Sequence, residues 1–165
     1  MKIIVRKLTD ESLAQEACAF TTGKEQSSIS LYRLYPAMHS TVRTQLFWIK
    51  MYDIPTFVSV HIVRHAPGIN HYVKSNREDL PGFTGDLGRM QPVNHAMLLN
   101  AEALINIAHK RLCNKAHELT RAVVEEIRKQ IFLIDPTLGQ LMVPMCEYRN
   151  GLCSELKPCG RKGVK

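Results

Sequence analysis

The densest set of chemically useful side chains lies between Val63 and Arg77. Its fifteen residues include Arg64, His65, Asn70, His71, Lys74, Ser75, Asn76 and Arg77. Charged N–H donors at this density suit an anion, because they pair with phosphate or carboxylate oxygens. The apolar run Pro55 to Val63 leads into the stretch and would anchor it on a buried element, as a pre-organised site requires. A basic helix end followed by a polar loop has the same composition, so the rest of the chain must decide between the two.

Several other chemistries find no support. There is no glycine-rich phosphate loop of the P-loop or dinucleotide type. The serines lack nucleophile-elbow context. Seven histidines are scattered, without a His-x-Glu or His-Glu-x-x-His pattern, which argues against a hydrolytic zinc centre. Three cysteines do crowd the end of the chain, as Cys146-x6-Cys153-x5-Cys159. Structural zinc takes four ligands, often thiolates, and Cys113 supplies a fourth. The spacing is wider than a Cys-x2-Cys knuckle. Cys113, Cys146, Cys153 and Cys159 therefore read either as a zinc site or as small buried thiols.

The chain has 165 residues, 45% hydrophobic and 22% charged, which suits one globular domain spanning 1–165. Its net charge of +7 favours anionic partners, nucleic acid or small phosphorylated ligands. The basic end Gly160 to Lys165 is short. No apolar run is long enough to span a membrane, and no signal sequence is visible, so the expected compartment is cytoplasmic. Five cysteines, an odd number, speak against a disulfide framework.

Periodicity predicts the elements that must position these residues. Residues 2–8 read as a strand. A helix follows with Asp10 or Thr9 as cap and an apolar face of Leu13, Ala14, Ala17, Cys18 and Phe20. Cys18 on that face reads as packing. Ser27 to Met38 predicts a short helix after a Ser27-Ser28 cap, with His39 at its end. Residues 44–52 predict a strand broken at Asp53-Ile54-Pro55, and 55–64 a buried helix with Pro55 in its first turn, a strand being the alternative. Residues 69–74 predict a strand, and 78–92, with Pro81, Gly82, Gly85, Gly88 and Pro92, a long loop. Two long helices are predicted over 94–112 and, capped by Asn114, over 115–134. The second would bury Leu119, Val123, Ile127, Ile131 and Ile134 and end at Asp135-Pro136. Residues 139–165 form an irregular, cysteine-bearing tail. The fold class expected is α+β, a mixed or antiparallel sheet packed against long helices.

The order and spacing of several short motifs resemble the flavin-dependent thymidylate synthase family (ThyX). The opening segment Lys2 to Cys18 is similar to that family's N-terminal pattern. His39 stands twenty-five residues before Arg64, as a histidine stands before the family's Arg-His-Arg motif. Ser75-Asn76-Arg77 resembles its Ser-x-Arg. Asn100 to Asn106 resembles its Asn-Ala-Arg helix, and Arg111-Leu112-Cys113 with Ala116-His117-Glu118 resembles the run that follows. The tail from Cys146 through Gly151 and Cys153 to Cys159-Gly160 looks like the cysteine-bearing end of some members.

The resemblance implies FAD bound between subunits of a homotetramer, NADPH as reductant, methylenetetrahydrofolate as carbon donor, and dUMP as acceptor at C5. It implies flavin contacts at His39, Thr41, Arg64, His65, Asn100 and Asn106. It implies nucleotide contacts at His61, Ser75, Arg77, Arg89 and Arg111. Arg111 is the implied catalytic group, since a guanidinium beside the ring carbonyl stabilises negative charge developing on the pyrimidine.

The chain also departs from the pattern. Ala66 stands where the family has the second arginine of its motif, Glu102 replaces an arginine, and His61 replaces a glutamine. The Asn-Glu before the family's serine is absent, with His71 to Lys74 nearby and one residue of extra spacing. Asn100 and Asn106 do not share a helix face well, and Arg111 at a helix end could simply offset the helix dipole. Two functional expectations follow. One is a ThyX-like enzyme acting on dUMP or a related pyrimidine nucleotide. The other is a non-catalytic pyrimidine-nucleotide or RNA binding protein of the same fold.

Overall fold

The structure, a computed structural model, describes residues 1–83, 85, 88–161 and 163. Thr84, Asp86 and Leu87 of the long loop, and Lys162, Val164 and Lys165 of the basic end, lie outside the described residues. Four strands, β1 (Lys2–Lys7), β2 (Leu46–Pro55), β3 (Ile69–Val73) and β4 (Pro92–Asn100), form an antiparallel sheet in the order β1-β2-β4-β3. The α+β expectation holds, with the sheet antiparallel throughout. The helices are α1 (Glu11–Thr22), α2 (Leu31–Ala37), α3 (Thr56–Val63), α4 (Ala101–Arg111), α5 (Glu118–Ile134), α6 (Pro136–Leu141) and α7 (Met145–Tyr148), with a 3-10 turn at Ser40–Thr44. No described helix is long and apolar enough to cross a membrane.

One continuous core joins the sheet to the helices. Phe47, Ile49, Met51, Met97 and Leu99 line one sheet face and meet Ile62 of α3, Leu104 and Ile105 of α4, and Ile127 and Ile131 of α5. Asp135 secures the end of α5 and the start of α6. Its Oδ1 accepts from the Leu138 N–H at 3.1 Å. Its Oδ2 accepts from Lys7 Nζ at 2.7 Å and from the Tyr35 hydroxyl at 2.8 Å. A buried carboxylate needs this many donors to be tolerated. Gln130 covers the outer edge of β1, accepting from the Val5 N–H and donating to the Ile3 carbonyl.

Several element boundaries differ from expectation, each for a local reason. The largest difference is β4. Residues 94–100 are a strand between β2 and β3, and only 101–111 are helical. Ala96-Met97-Leu98-Leu99 is a strong helix-forming run, but it hydrogen-bonds to strands on both edges, and that pairing overrides propensity. β2 continues through Asp53 to Pro55 because a bulge absorbs the break, with Asp53 at φ 54°. The cap of α1 is Asp10, one of the two candidates, but Leu13 and Phe20 face outward; Ala14, Cys18 and Ala19 are its buried residues. The N-cap of α2 is Ser30 rather than Ser27-Ser28, and that of α5 is His117 rather than Asn114. Leu119 and Ile134 of α5 are exposed, and Thr120 and Val124 are buried in addition to the predicted Val123, Ile127 and Ile131. The tail is not wholly irregular, since α6 and α7 occupy its first part.

Candidate active site

The site is built on α3, as the sequence suggests. Pro55 at φ −58° leads the chain into the helix. The first N–H groups of α3 are met by the end of the long loop: Thr56 N–H donates to the Gln91 carbonyl at 2.9 Å and Phe57 N–H to the Arg89 carbonyl at 3.1 Å. This brings the Arg89 guanidinium over the Phe57 ring, 5.7 Å from its centroid. Phe57 in turn meets His61 and His117 edge-on.

The other end of α3 meets the last turn of α4. Arg111 donates from Nη2 to the His61 carbonyl at 2.7 Å and from Nε to His65 Nε2 at 2.9 Å. The first contact satisfies a helix-terminal carbonyl with a cation, which the dipole favours. The second requires a lone pair on His65 Nε2 and therefore a neutral imidazole with its proton on Nδ1. Burial, followed by the Arg111 charge, holds His65 down at about 4, in keeping with that tautomer. Burial and then Arg111 also lower His61, whose Nδ1 lies 3.0 Å from the Thr120 hydroxyl. Arg111 itself is lowered by burial and by the Arg64 charge.

A directed chain of hydrogen bonds supports this arrangement from the sheet. His71 Nε2 lies 3.0 Å from the His65 carbonyl, which can only accept, so Nε2 carries the proton. In the neutral ring, Nδ1 then accepts from His95 Nε2 at 3.0 Å, and His95 Nδ1 accepts from the Ser59 hydroxyl at 3.0 Å. His95 is 1% exposed, and burial, then the neighbouring His71, holds it at about 4. The arrangement fixes the carbonyl of His65 and so orients the ring that Arg111 grips. Ser59 and His95 had no place in the sequence reading of the site, and His71 entered it only as a member of the basic stretch 63–77. Their signal was alternation: in the β3–β4 register Val73 faces His95 and His71 faces Met97, a diagonal placement that is invisible if residues 94–100 are taken as helix.

Arg64, His65, Asn106 and Lys110 line a cavity of about 290 Å³ between α3, α4 and α7. The Arg64 guanidinium makes no described bond there. Lys110 was given no role from sequence. Ser75 lines a different cavity, of about 280 Å³, with Lys74, Asn76 and Thr56. Arg77 is exposed and paired with Asp79. His39 lies on a third cavity, of about 500 Å³, with Lys24, Arg33 and several hydroxyl residues. Its Nδ1 accepts from the Thr41 N–H at 3.4 Å, next to the Thr41 hydroxyl at 3.0 Å. Thr41 is buried and also takes the Cys18 thiol at 3.3 Å, so its side chain is committed internally. Asn100 caps α4, its Oδ1 accepting from the Ala103 N–H at 2.9 Å, and Gly68 at φ 73° packs against its amide. Glu102, in place of the family's arginine, pairs with Arg43 at 2.5 Å.

The structure thus gathers His61, Arg64, His65, Asn106 and Arg111 around one end of α3, with Arg89 at the other. It sets Ser75 and Arg77 on the adjacent loop and leaves His39 and Thr41 on another wall. Cys113, Cys146, Cys153 and Cys159 carry free thiols and line one small cavity, but among the described residues no group of three or more His, Cys, Asp or Glu is placed to hold a metal ion. The Arg64 side of the molecule can bind an anion and place a guanidinium and a neutral imidazole beside it.

The fold defines a class first: it is the fold of the flavin-dependent thymidylate synthases. ThyX from Helicobacter pylori, solved with FAD and dUMP, superposes with a TM-score of 0.70 at 14% identity, over 87% of this chain and 100% of that chain. The UMP/dUMP methylase PolB from Streptomyces cacaoi, bound to 5-Br dUMP, superposes with a TM-score of 0.63 at 13% identity, over 85% of this chain and 94% of that chain. No family model and no curated protein sequence matches the chain. At such identities the likeness speaks to fold, and function rests on the residues.

Proposed function

We propose that the protein is a flavin-dependent enzyme of the thymidylate synthase type, transferring a one-carbon unit from methylenetetrahydrofolate to C5 of dUMP or a related pyrimidine nucleotide. The observation that carries this reading is the grip of Arg111 on His65 and on the His61 carbonyl beside the Arg64 cavity. The grip fixes the guanidinium against His65, which lines that cavity. A fixed cation stabilises charge gathering on a ring carbonyl without reorganising during the reaction. His65, held neutral, positions Arg111 without adding a competing charge. Ser75, Arg77 and Arg89 on the adjoining loop supply hydrogen bonds and charge for the nucleotide, and His61 completes that side.

The flavin side is partly suited to FAD. Arg64, His65 and Asn106, joined by Lys110, offer cationic and amide donors on one cavity. Bound FAD would supply the redox chemistry, with NADPH as its reductant. Thr41 and the Asn100 oxygen are occupied by internal hydrogen bonds, so they shape the walls instead of reaching the cofactor. His39 and Arg64 line separate cavities, and both contribute to one site if copies of the chain meet. The reading therefore includes a homo-oligomer, a tetramer as the resemblance implies. Exposed Phe20, Tyr32 and Leu133 provide apolar surface for such contacts.

Rescue of a thymidine-requiring strain tests the reading. Growth with the wild-type chain and none with Arg111→Lys supports it. One observation favours the second reading, a nucleotide- or RNA-binding protein without flavin chemistry: Glu102 and Ala66 stand where two arginines are expected, and Glu102 further occupies Arg43. No rescue, with a colourless protein that still binds dUMP, selects that alternative.

A further inference from the structure

We propose that the open face of the sheet binds single-stranded nucleic acid, with bases stacking on Trp48 and Tyr72 and phosphates meeting Lys2, Arg6 and Lys50. Side chains alternate along each strand, so half of them face the helices and half the opposite side. Phe47, Ile49, Met97 and Leu99 point into the core. The register arranges the opposite face in rows across the strands. Ile4, Lys50, Ala96 and Tyr72 form one row, Arg6, Trp48, Leu98 and Asn70 the next, and Lys2 lies beside Tyr52. None of these residues is buried, so no described element covers the face.

Two features of this face suit a nucleic-acid strand. The first is aromatic. Trp48 of β2 and Tyr72 of β3 meet across β4 with ring centroids 5.4 Å apart and planes inclined at 54°, and Tyr72 is 52% exposed. Rings displayed on a sheet stack on bases, since every base offers a π-face. At ~4.8 Å between strands the sheet is roughly 14 Å wide, enough for about two or three stacked bases.

The second feature is charge. Lys2, Arg6 and Lys50 are the only charged residues in those rows, no carboxylate stands among them, and none of the described ion pairs uses them. Three cations around an aromatic pair match a polyanion with stacking groups. A second copy docked face to face would set these cations against their own counterparts, so self-association through this face is disfavoured. The surface lies across the sheet from α3, and the proposal does not depend on the chemistry assigned to the α3 site.

Trp48 is the only tryptophan of the chain, so its fluorescence reports on this face alone. Titration of the full chain with oligouridylate or oligothymidylate of about twelve nucleotides should quench it. With three phosphates contacted, log affinity should fall against log salt with a slope of about −2. Polarisation of a labelled oligonucleotide measures the variants. Tyr72→Ala should weaken binding at least about fivefold, whereas Tyr72→Phe keeps the ring and should bind like wild type. Arg6→Glu with Lys50→Glu should abolish binding while the circular dichroism stays that of wild type. Excess dUMP should leave the oligonucleotide in place. Absence of quenching at low salt, unchanged affinity in Tyr72→Ala and the double variant, competition by dUMP, or a duplex bound as tightly as the single strand each overturns the proposal. So does a Trp48 shielded from acrylamide in the free protein, which would mean that another copy covers the face, or tighter association with anionic lipid vesicles than with the oligonucleotide.

Discussion

Replacing Arg111 by lysine keeps the charge and removes the fork. The guanidinium makes two separate contacts, to the His61 carbonyl at 2.7 Å and to His65 Nε2 at 2.9 Å. An ammonium has three N–H donors on a single nitrogen, so it can reach the carbonyl but cannot span both acceptors as Nη2 and Nε do. The loss of one charge-assisted hydrogen bond in this half-buried setting amounts to about 1.5–3 kcal/mol. For a chain of this size, that is a fall of about 3–12 °C in melting temperature. His65 also loses the partner that fixed its ring. If the remaining guanidinium N–H groups contact the nucleotide, dUMP binding or transition-state stabilisation should fall by about 2–4 kcal/mol, roughly thirtyfold to almost a thousandfold. Arg89→Ala should cost less, because that side chain rests on the Phe57 face and makes a weaker cation–π contact. Differential scanning calorimetry and calorimetric titration with dUMP on the three proteins measure both effects. If Arg111→Lys melts and binds like wild type, the guanidinium is only a charge at a helix end, and the mechanism built on its grip is wrong.

Acid should destabilise the fold through His95. Its pKa is held at about 4 against an ordinary 6.5, so the unfolded chain binds the proton more tightly and stability falls as pH drops from about 6.5 to 4. The full contribution lost is about 3 kcal/mol, and urea midpoints across that range should show it; a flat profile would remove His95 from the account. Asn100→Ala should cost about 1 kcal/mol of stability as a lost helix cap, whereas Asn100→Asp keeps the acceptor and should melt near wild type. Glu102→Arg should tighten FAD binding, followed by flavin fluorescence, because it releases Arg43 and restores a cation; unchanged affinity would place residue 102 outside the flavin site.

The elements that carry the candidate site are legible in the sequence because they are short and strongly marked. Pro55 and the apolar run after it announce α3, and the strand at 69–73 alternates plainly. The spacing of His39, Arg64 and Arg111 points to the fold. What was not legible depends on pairing. Residues 94–100 carry a helix-like composition, and only β2 and β3 on either side make them a strand, bringing His95 onto Ser59 and His71. The side chains used up internally were equally hidden. Nothing in the local sequence says that Asn100 caps its helix, that Thr41 is buried on Cys18, or that Glu102 lies against Arg43, since each partner is set by tertiary contact.

The central proposal is that this chain replaces the hydrogen on C5 of dUMP through flavin chemistry. The direct measurement is release of tritium to water from dUMP labelled at C5, with FAD, NADPH and methylenetetrahydrofolate present. The account predicts release that requires all three, yields a C5-modified nucleotide, and is lost in Arg111→Lys. Tight dUMP binding with no tritium release under any combination would contradict it.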